Sequence, residues 1–284
     1  MALLSSTDGS ALARWLPWRR GGPVIPAIRL SGTIGGLGWR GTGLTLANLE
    51  RAIARAFHKR APAVALLVNS PGGSPVQSAL IAGRIRQLAD EKQRPVLAFI
   101  EDLAASGGYW LACAADELFA DPASIVGSIG VVSSGFGFHE AIGRLGIERR
   151  VHTSGPRKAL LDPFRPERDD DLLLLKEIQT DIHLEFQSHV KARRGARLKA
   201  EEADLFDGRI WTGRGALAAG LVDGLGDARS VLRSRFGEKT RIQVVNQPRT
   251  WFQRRLGRGV APGGAIVEVA AAVEERLLWQ RYGL

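Results

Sequence analysis

Two unbroken apolar runs, residues 64–68 and 96–100, each give way within a few positions to small residues and glycines and then to a stretch of helical period. A five-residue run of Val, Ala, Leu, Phe or Ile has no polar face. As a strand it must be covered on both sides, which is the situation of a central strand in a parallel sheet. Parallel strands cannot be joined by a tight turn and need a crossover, ordinarily a helix.

The rest of the chain repeats that alternation. Residues 24–30 read as extended, and 44–59 place Leu46, Leu49, Ile53 and Phe57 near helical spacing. The run at 64–68 ends in Asn69-Ser70-Pro71-Gly72-Gly73, a loop by composition, before a helix over 75–92. After the strand at 96–100, residues 101–105 read as a connection and 106–115 as a short helix that begins at a serine. Strands are expected at 129–132 and 149–153, with a helical 140–145 between them. A long helix is expected over 169–194, because Asp169, Asp170 and Asp171 suit its start and basic residues precede Gly195 at its end. A helix at 214–219 stopped by Gly220, a short strand at 221–223 and a linker at 257–264 complete the reading. Alternation of this kind implies an α/β fold with a mainly parallel sheet, and ligands in such folds sit beyond the carboxyl ends of the strands, where both glycine-rich loops fall.

Of the 284 residues 45% are hydrophobic, enough for a sizeable core, and no internal repeat is present. The one cysteine, Cys113, has no intramolecular partner, and no Cys/His cluster has metal-binding spacing; neither a cofactor nor a metal is expected. The net charge is +10, with arginines gathered near the start and from Arg229 onward. A solvated basic face accounts for most such excesses, and nucleic acid is not expected as a partner. No run approaches the roughly 18 apolar residues of a membrane span. Residues 11–20 and 265–282 mix aromatic and basic residues in a way that fits either a bilayer surface or a neighbouring subunit. A cytoplasmic protein with peripheral contact at the inner membrane is the expectation.

Ala105-Ser106-Gly107-Gly108-Tyr109-Trp110 sets a hydroxyl at the entry of a helix directly after a buried strand, where helix N–H groups favour an anion. Taken alone, Ser106 reads more readily as a helix N-cap. Gly72 and Gly73 offer unhindered N–H groups of the kind that hold an oxyanion, or simply a tight turn. For a base, His58, His139, His183 and His189 have no compelling setting. His152 with Asp162 would complete a triad with Ser106 by spacing, and Lys158 competes from the loop after the same expected strand.

Several blocks together resolve that choice: Asn69-Ser70-Pro71-Gly72-Gly73, the Ser106 block, Gly127-Ser128-Ile129-Gly130-Val131, Arg157-Lys158-Ala159-Leu160-Leu161-Asp162-Pro163-Phe164, Gly208-Arg209-Ile210-Trp211-Thr212-Gly213 and Gly220-Leu221-Val222-Asp223. In order and spacing, over residues 24–231, they resemble the S49 family of signal-peptide-peptidase A type serine peptidases, in the single-domain form typified by SohB. The resemblance implies Ser106 as nucleophile, Lys158 as its general base, Gly73 and the Gly107 N–H as oxyanion holders, and Ser128 as the hydroxyl that orients the lysine. It implies a ClpP/crotonase-like spiral of βαβ units, a peptide or protein substrate, and a homo-oligomer in which subunits shield or complete the sites. The expected organisation is an extension at 1–22, a peptidase domain at 23–248 and a basic helical tail at 249–284. A substrate preference for small or apolar residues is expected from a neighbourhood including Leu103, Ile129 and Val131. Many relatives carry a membrane anchor before this domain, and others process phage capsids, so signal-peptide remnants are the less secure substrate. Two further readings stay open: a crotonase-like acyl-CoA enzyme of the same superfold, and a non-catalytic scaffold at a membrane surface.

Overall fold

In the computed structural model, the described residues are 22–35, 43–155, 157–246, 276 and 279–283. The expected extension at 1–22 and tail at 249–284 lie almost wholly outside them, as do the amphipathic stretch at 11–20 and most of that at 265–282.

The described strands are β1 (Val24–Ser31), β2 (Val64–Ser70), β3 (Val96–Ala105), β4 (Glu117–Ala120), β5 (Ile125–Gly127), β6 (Ile210–Thr212), β7 (Gly224–Leu225) and β8 (Arg241–Val244). The helices are α1 (Leu46–His58), α2 (Pro75–Glu91), α3 (Gly107–Ala112), α4 (His139–Arg144), α5 (Asp169–Arg194), α6 (Glu202–Leu205), α7 (Gly213–Ala219) and α8 (Ala228–Phe236). One sheet runs β6-β5-β3-β2-β1-β8, parallel except for the β5–β6 pair. It forks along β3. The first half of that strand pairs with β4, which carries β7, and the second half pairs with β5. The expected α/β class with a mainly parallel sheet is therefore what the chain adopts.

Strand alternation splits the core. Val64, Leu66 and Val68 of β2 with Val96, Ala98 and Ile100 of β3 pack on one face beneath α1 and α2. Ala65, Leu67, Leu97 and Phe99 face the other way, toward Leu232 of α8. The helix starts follow local chemistry. Thr45, Ser74, Thr212 and Asp227 each accept a backbone N–H at the N-cap of α1, α2, α7 and α8, and Pro75 occupies the first turn of α2.

Four expectations need correction. Residues 101–105 are not a connection, because β3 continues through them to pair with β5. The strand expected at 129–132 lies at β5 instead and ends where Gly127 and Ser128 both take positive φ, 110° and 52°. Residues 149–153 are irregular, mostly exposed and unpaired with the sheet. Residues 221–222 fold back onto α7, with the Leu221 N–H on the Ala216 carbonyl at 2.8 Å, while the Asp223 N–H donates to the Leu118 carbonyl of β4 at 2.7 Å and the strand follows as β7. The strands β4, β6 and β8 and the helix α8 had no counterpart in the sequence reading; three or four residues carry too little periodicity to announce a strand.

The C-terminal half of α5 clamps the sheet to the helix behind the serine. His189 and Phe186 stack on Trp110 of α3, with ring centroids 4.9 and 4.8 Å apart, and His189 Nε2 donates to the Trp110 carbonyl at 3.2 Å. Burial pushes the His189 imidazole down to about 4, Arg193 adding to the shift and the Trp110 bond opposing it. A folded-state pKa below the unfolded one stabilises the protein above pH 6.5, and that contribution is lost as pH falls from 6.5 toward 4. Thermal unfolding at pH 7.5 and pH 5 should therefore show a loss in wild type that shrinks in His189→Gln, which keeps a donor for Trp110 without titrating. Equal pH slopes in the two proteins would contradict it.

Candidate active site

β3 delivers Ser106 to the carboxyl end of the sheet. Ala105 pairs with Gly127 of β5, and the Ser106 N–H then donates to the Gly127 carbonyl at 2.9 Å, which holds the turn after the strand. The chain reverses direction at Ser106 itself, with φ 52° and ψ −124°. A side chain in that region costs about 1–3 kcal/mol unless the surroundings enforce it. Ser106 stands at the N-cap position of α3, yet its hydroxyl makes no cap hydrogen bond. Its carbonyl accepts from Tyr109 and Trp110, so the helix begins without help from the side chain. Ser106 is half-buried, no described hydrogen bond engages its hydroxyl, and it stands at a strained strand–turn–helix junction, the local form of a nucleophile elbow.

The glycine loop after β2 lies against this turn. Ile34 bridges to Gly73: the Ile34 N–H donates to the Gly72 carbonyl at 2.8 Å, and the Ser74 N–H to the Ile34 carbonyl at 2.9 Å. In a parallel bridge those bonds come from the residues on either side, so the Gly73 N–H is directed away from Ile34. Gly73 has φ 139°, and a Cβ there would meet the Ile34 carbonyl oxygen at 2.1 Å. A Cβ on Gly107 would stand 2.5 Å from Ser78 Oγ and 3.4 Å from the Gly73 nitrogen. Two close backbone N–H groups, Gly73 and Gly107, thus flank the serine turn, and side chains on either glycine would push the loops apart.

Ser128 follows β5. Its N–H donates to the Arg209 carbonyl at 2.7 Å, and its hydroxyl lies 3.4 Å from Tyr282 Oη. From the sequence Tyr282 belongs only to the amphipathic stretch at 265–282; no motif announces a residue that reaches Ser128 from 154 positions away.

Lys158 is exposed on the turn at 157–161. No hydrogen bond or ion pair joins its Nζ to Ser106, Ser128 or another described residue. The His152 triad is not assembled either. His152 is exposed, while Asp162 is bound by Arg149 at 3.1 Å and accepts the Phe164 N–H at 3.1 Å. Desolvation opposes ionisation of Asp162, but the Phe164 N–H and Arg149 outweigh it and hold the carboxyl below its usual range. Leu103 and Ile129 are fully buried core residues, which removes them from any substrate-facing wall; Val131 is half-buried. The segment bearing Lys158 exposes Val132, Phe136, Leu145 and Ile147 at 62, 79, 73 and 55%. Among the described residues no group of acidic, His or Cys side chains has the geometry of a metal site.

A serine at a strained turn after a parallel strand, with two glycine N–H groups beside it, is equipment for acyl transfer, and the comparisons with known proteins specify the class. The model of peptidase family S49 matches residues 89–239. A protein named serine protease SPPA, chloroplastic, from Arabidopsis thaliana is 31% identical over 227 residues, 76% of this chain and 33% of that protein. A Synechocystis protein is likewise 31% identical over 227 residues, which are 80% of its own length. A Brucella abortus protein named Na(+)/H(+) antiporter NhaA is 48% identical over 273 residues, covering 92% of this chain and 37% of that protein. The chain thus spans about a third of the Brucella and Arabidopsis relatives. It belongs to peptidase family S49; its mostly parallel sheet is that of the ClpP-like fold.

Proposed function

We propose that the protein is an endopeptidase with a Ser106/Lys158 dyad that cleaves unfolded or membrane-derived peptides. The observation that carries this reading is the Ser106 hydroxyl, held at a strained turn, free of a capping bond, beside the N–H groups of Gly73 and Gly107. Neutral Lys158 Nζ takes the Ser106 proton while Oγ bonds to the scissile carbonyl carbon. The carbonyl π pair moves onto oxygen, which the Gly73 and Gly107 N–H groups stabilise; one such donor is worth about 10²–10³ in rate. Lysine returns the proton to the departing amine as the C–N bond breaks, and water, deprotonated by the same lysine, hydrolyses the acyl-enzyme. Ser128 positions the amine.

A solvated lysine is a poor carrier for this chemistry, since desolvation is what brings an amine toward neutrality at working pH. The exposed apolar side chains on its segment support burial against a second copy of the chain, which would shield Lys158 and bring it to a serine. Cation–proton exchange forms no part of the proposal: the match covers 37% of the Brucella protein, and no described helix is long and apolar enough to cross a membrane.

The test is hydrolysis of casein and short apolar fluorogenic peptides, with a fluorophosphonate label located by mass spectrometry. Turnover with the label on Ser106 is expected. An unlabelled, inactive wild type would remove the peptidase reading in favour of a binding protein.

A further inference from the structure

A cavity of about 290 Å³ lies between α8 and the start of β8. Its walls are Arg229, Leu232, Arg233, Thr240, Arg241 and Ile242: three guanidinium groups, one hydroxyl, and no carboxylate. None of the three arginines has a carboxylate partner among the described residues, whereas neighbouring Arg235 is paired with Glu117 at 2.6 Å. Two polar atoms of these lining residues, Arg233 Nε and Thr240 Oγ1, are buried without a hydrogen-bond partner among the described residues. Thr240 is only 4% exposed. Buried donors of this kind are normally satisfied, so each one left over asks for a group that the chain does not supply.

We infer that this cavity binds a phosphate-type oxyanion. Guanidinium groups match the oxygens of such an anion with paired, charge-assisted N–H donors, and the Thr240 hydroxyl adds a neutral one. The nearby end of α8 offers little competition, because the Arg233 carbonyl already accepts the Gly237 N–H at 2.8 Å. The volume lies at the small end of the roughly 300–1,000 Å³ typical of ligand sites and suits a phosphoryl group more than an extended ligand. The cavity is separate from the serine turn. Arg241 pairs with Val24 at the amino end of β1, and Ser106 lies beyond the carboxyl end of the parallel strand β3.

The experiment is calorimetric titration of the whole chain with inorganic phosphate, with chloride at matched ionic strength as control, on wild type, Arg229→Gln, Arg233→Gln and Thr240→Val. Phosphate should bind wild type and raise its melting temperature beyond the chloride effect. Affinity should fall at least tenfold in Arg233→Gln and measurably in the others. Exposed Arg229 and near-isosteric Thr240→Val guard against loss of the fold. Sedimentation with phosphatidylglycerol and phosphatidylcholine vesicles separates the sources. Phosphatidylglycerol binding lost in the variants makes the site a lipid-headgroup site, and vesicle binding unaffected by the variants makes it a site for free phosphate. Indistinguishable phosphate and chloride responses, or wild-type phosphate affinity in all three variants, would overturn the proposal.

Discussion

Replacing Ser106 by alanine is expected to cut peptide hydrolysis by at least about a thousandfold and abolish fluorophosphonate labelling, while the melting temperature stays within a few degrees of wild type. The fold should tolerate the change because the Ser106 side chain holds nothing together. It makes no cap bond, and the turn is fixed by the Ser106 N–H on Gly127 and by its carbonyl on Tyr109 and Trp110. Lys158→Ala should fall to the same floor, and the double variant no lower, since groups acting in one proton transfer fail as a unit. Full activity in Lys158→Ala with loss in His152→Ala would move the base to the histidine. Ser106→Gly separates strain from chemistry. It is equally inactive, yet relief at φ 52° outweighs the added chain entropy by about 1 kcal/mol, raising the melting temperature by roughly 2–4 °C.

Arg194→Ala is expected to destabilise the protein by about 3–5 kcal/mol, lowering the melting temperature by roughly 10 °C or more. The Arg194 side chain is fully buried, with Nη1 and Nη2 on the Asp223 carboxylate at 2.8 and 2.9 Å and Nη2 also on the Gly220 carbonyl at 2.9 Å. Asp223 in turn accepts the Leu118 N–H of β4 at 2.8 Å. Burial works against the Asp223 charge, but Arg194 and the Leu118 N–H hold its carboxyl below the usual range. Removing the guanidinium leaves a half-buried carboxylate with Arg197, at 3.7 Å, as its cationic partner and strands a buried carbonyl at once. The network joins α5, α7 and β4 just behind α3, where Tyr109 Oη donates to the Leu221 carbonyl at 2.8 Å. Cys113 belongs to this packed region, and burial pushes its thiol up to about 12, which makes it a structural residue and not a reactive one. Denaturant unfolding of Arg194→Ala and Arg194→Met measures the effect, and a loss below about 1 kcal/mol in both would show that Asp223 finds other partners.

Where a segment has a strong period, it could be read directly. The helix expected over 169–194 has those bounds as α5, and the runs at 64–68 and 96–100 became β2 and β3. Where a segment's state depends on a neighbour, it could not. β3 extends to Ala105 only because β5 lies beside it, and residues 149–153, with strand-like composition, have no strand to pair with. Nothing local marks Arg194 and Asp223 as a buried pair, because a buried ion pair and an exposed one are written with the same letters.

The sequence by itself determined the α/β class, the parallel core strands and the position of a serine and two glycine loops at strand ends. Apolar period and glycine placement are local properties of the chain. Only the tertiary structure decided that Ser106 is bent at positive φ without serving as a cap, that Gly73 and Gly107 lie together, and that Lys158 is exposed away from them. It also decided that Tyr282 reaches Ser128 and that three arginines share a cavity with an unpartnered threonine. Those are distances between residues far apart in the chain, set by the summed packing of the sheet and its helices.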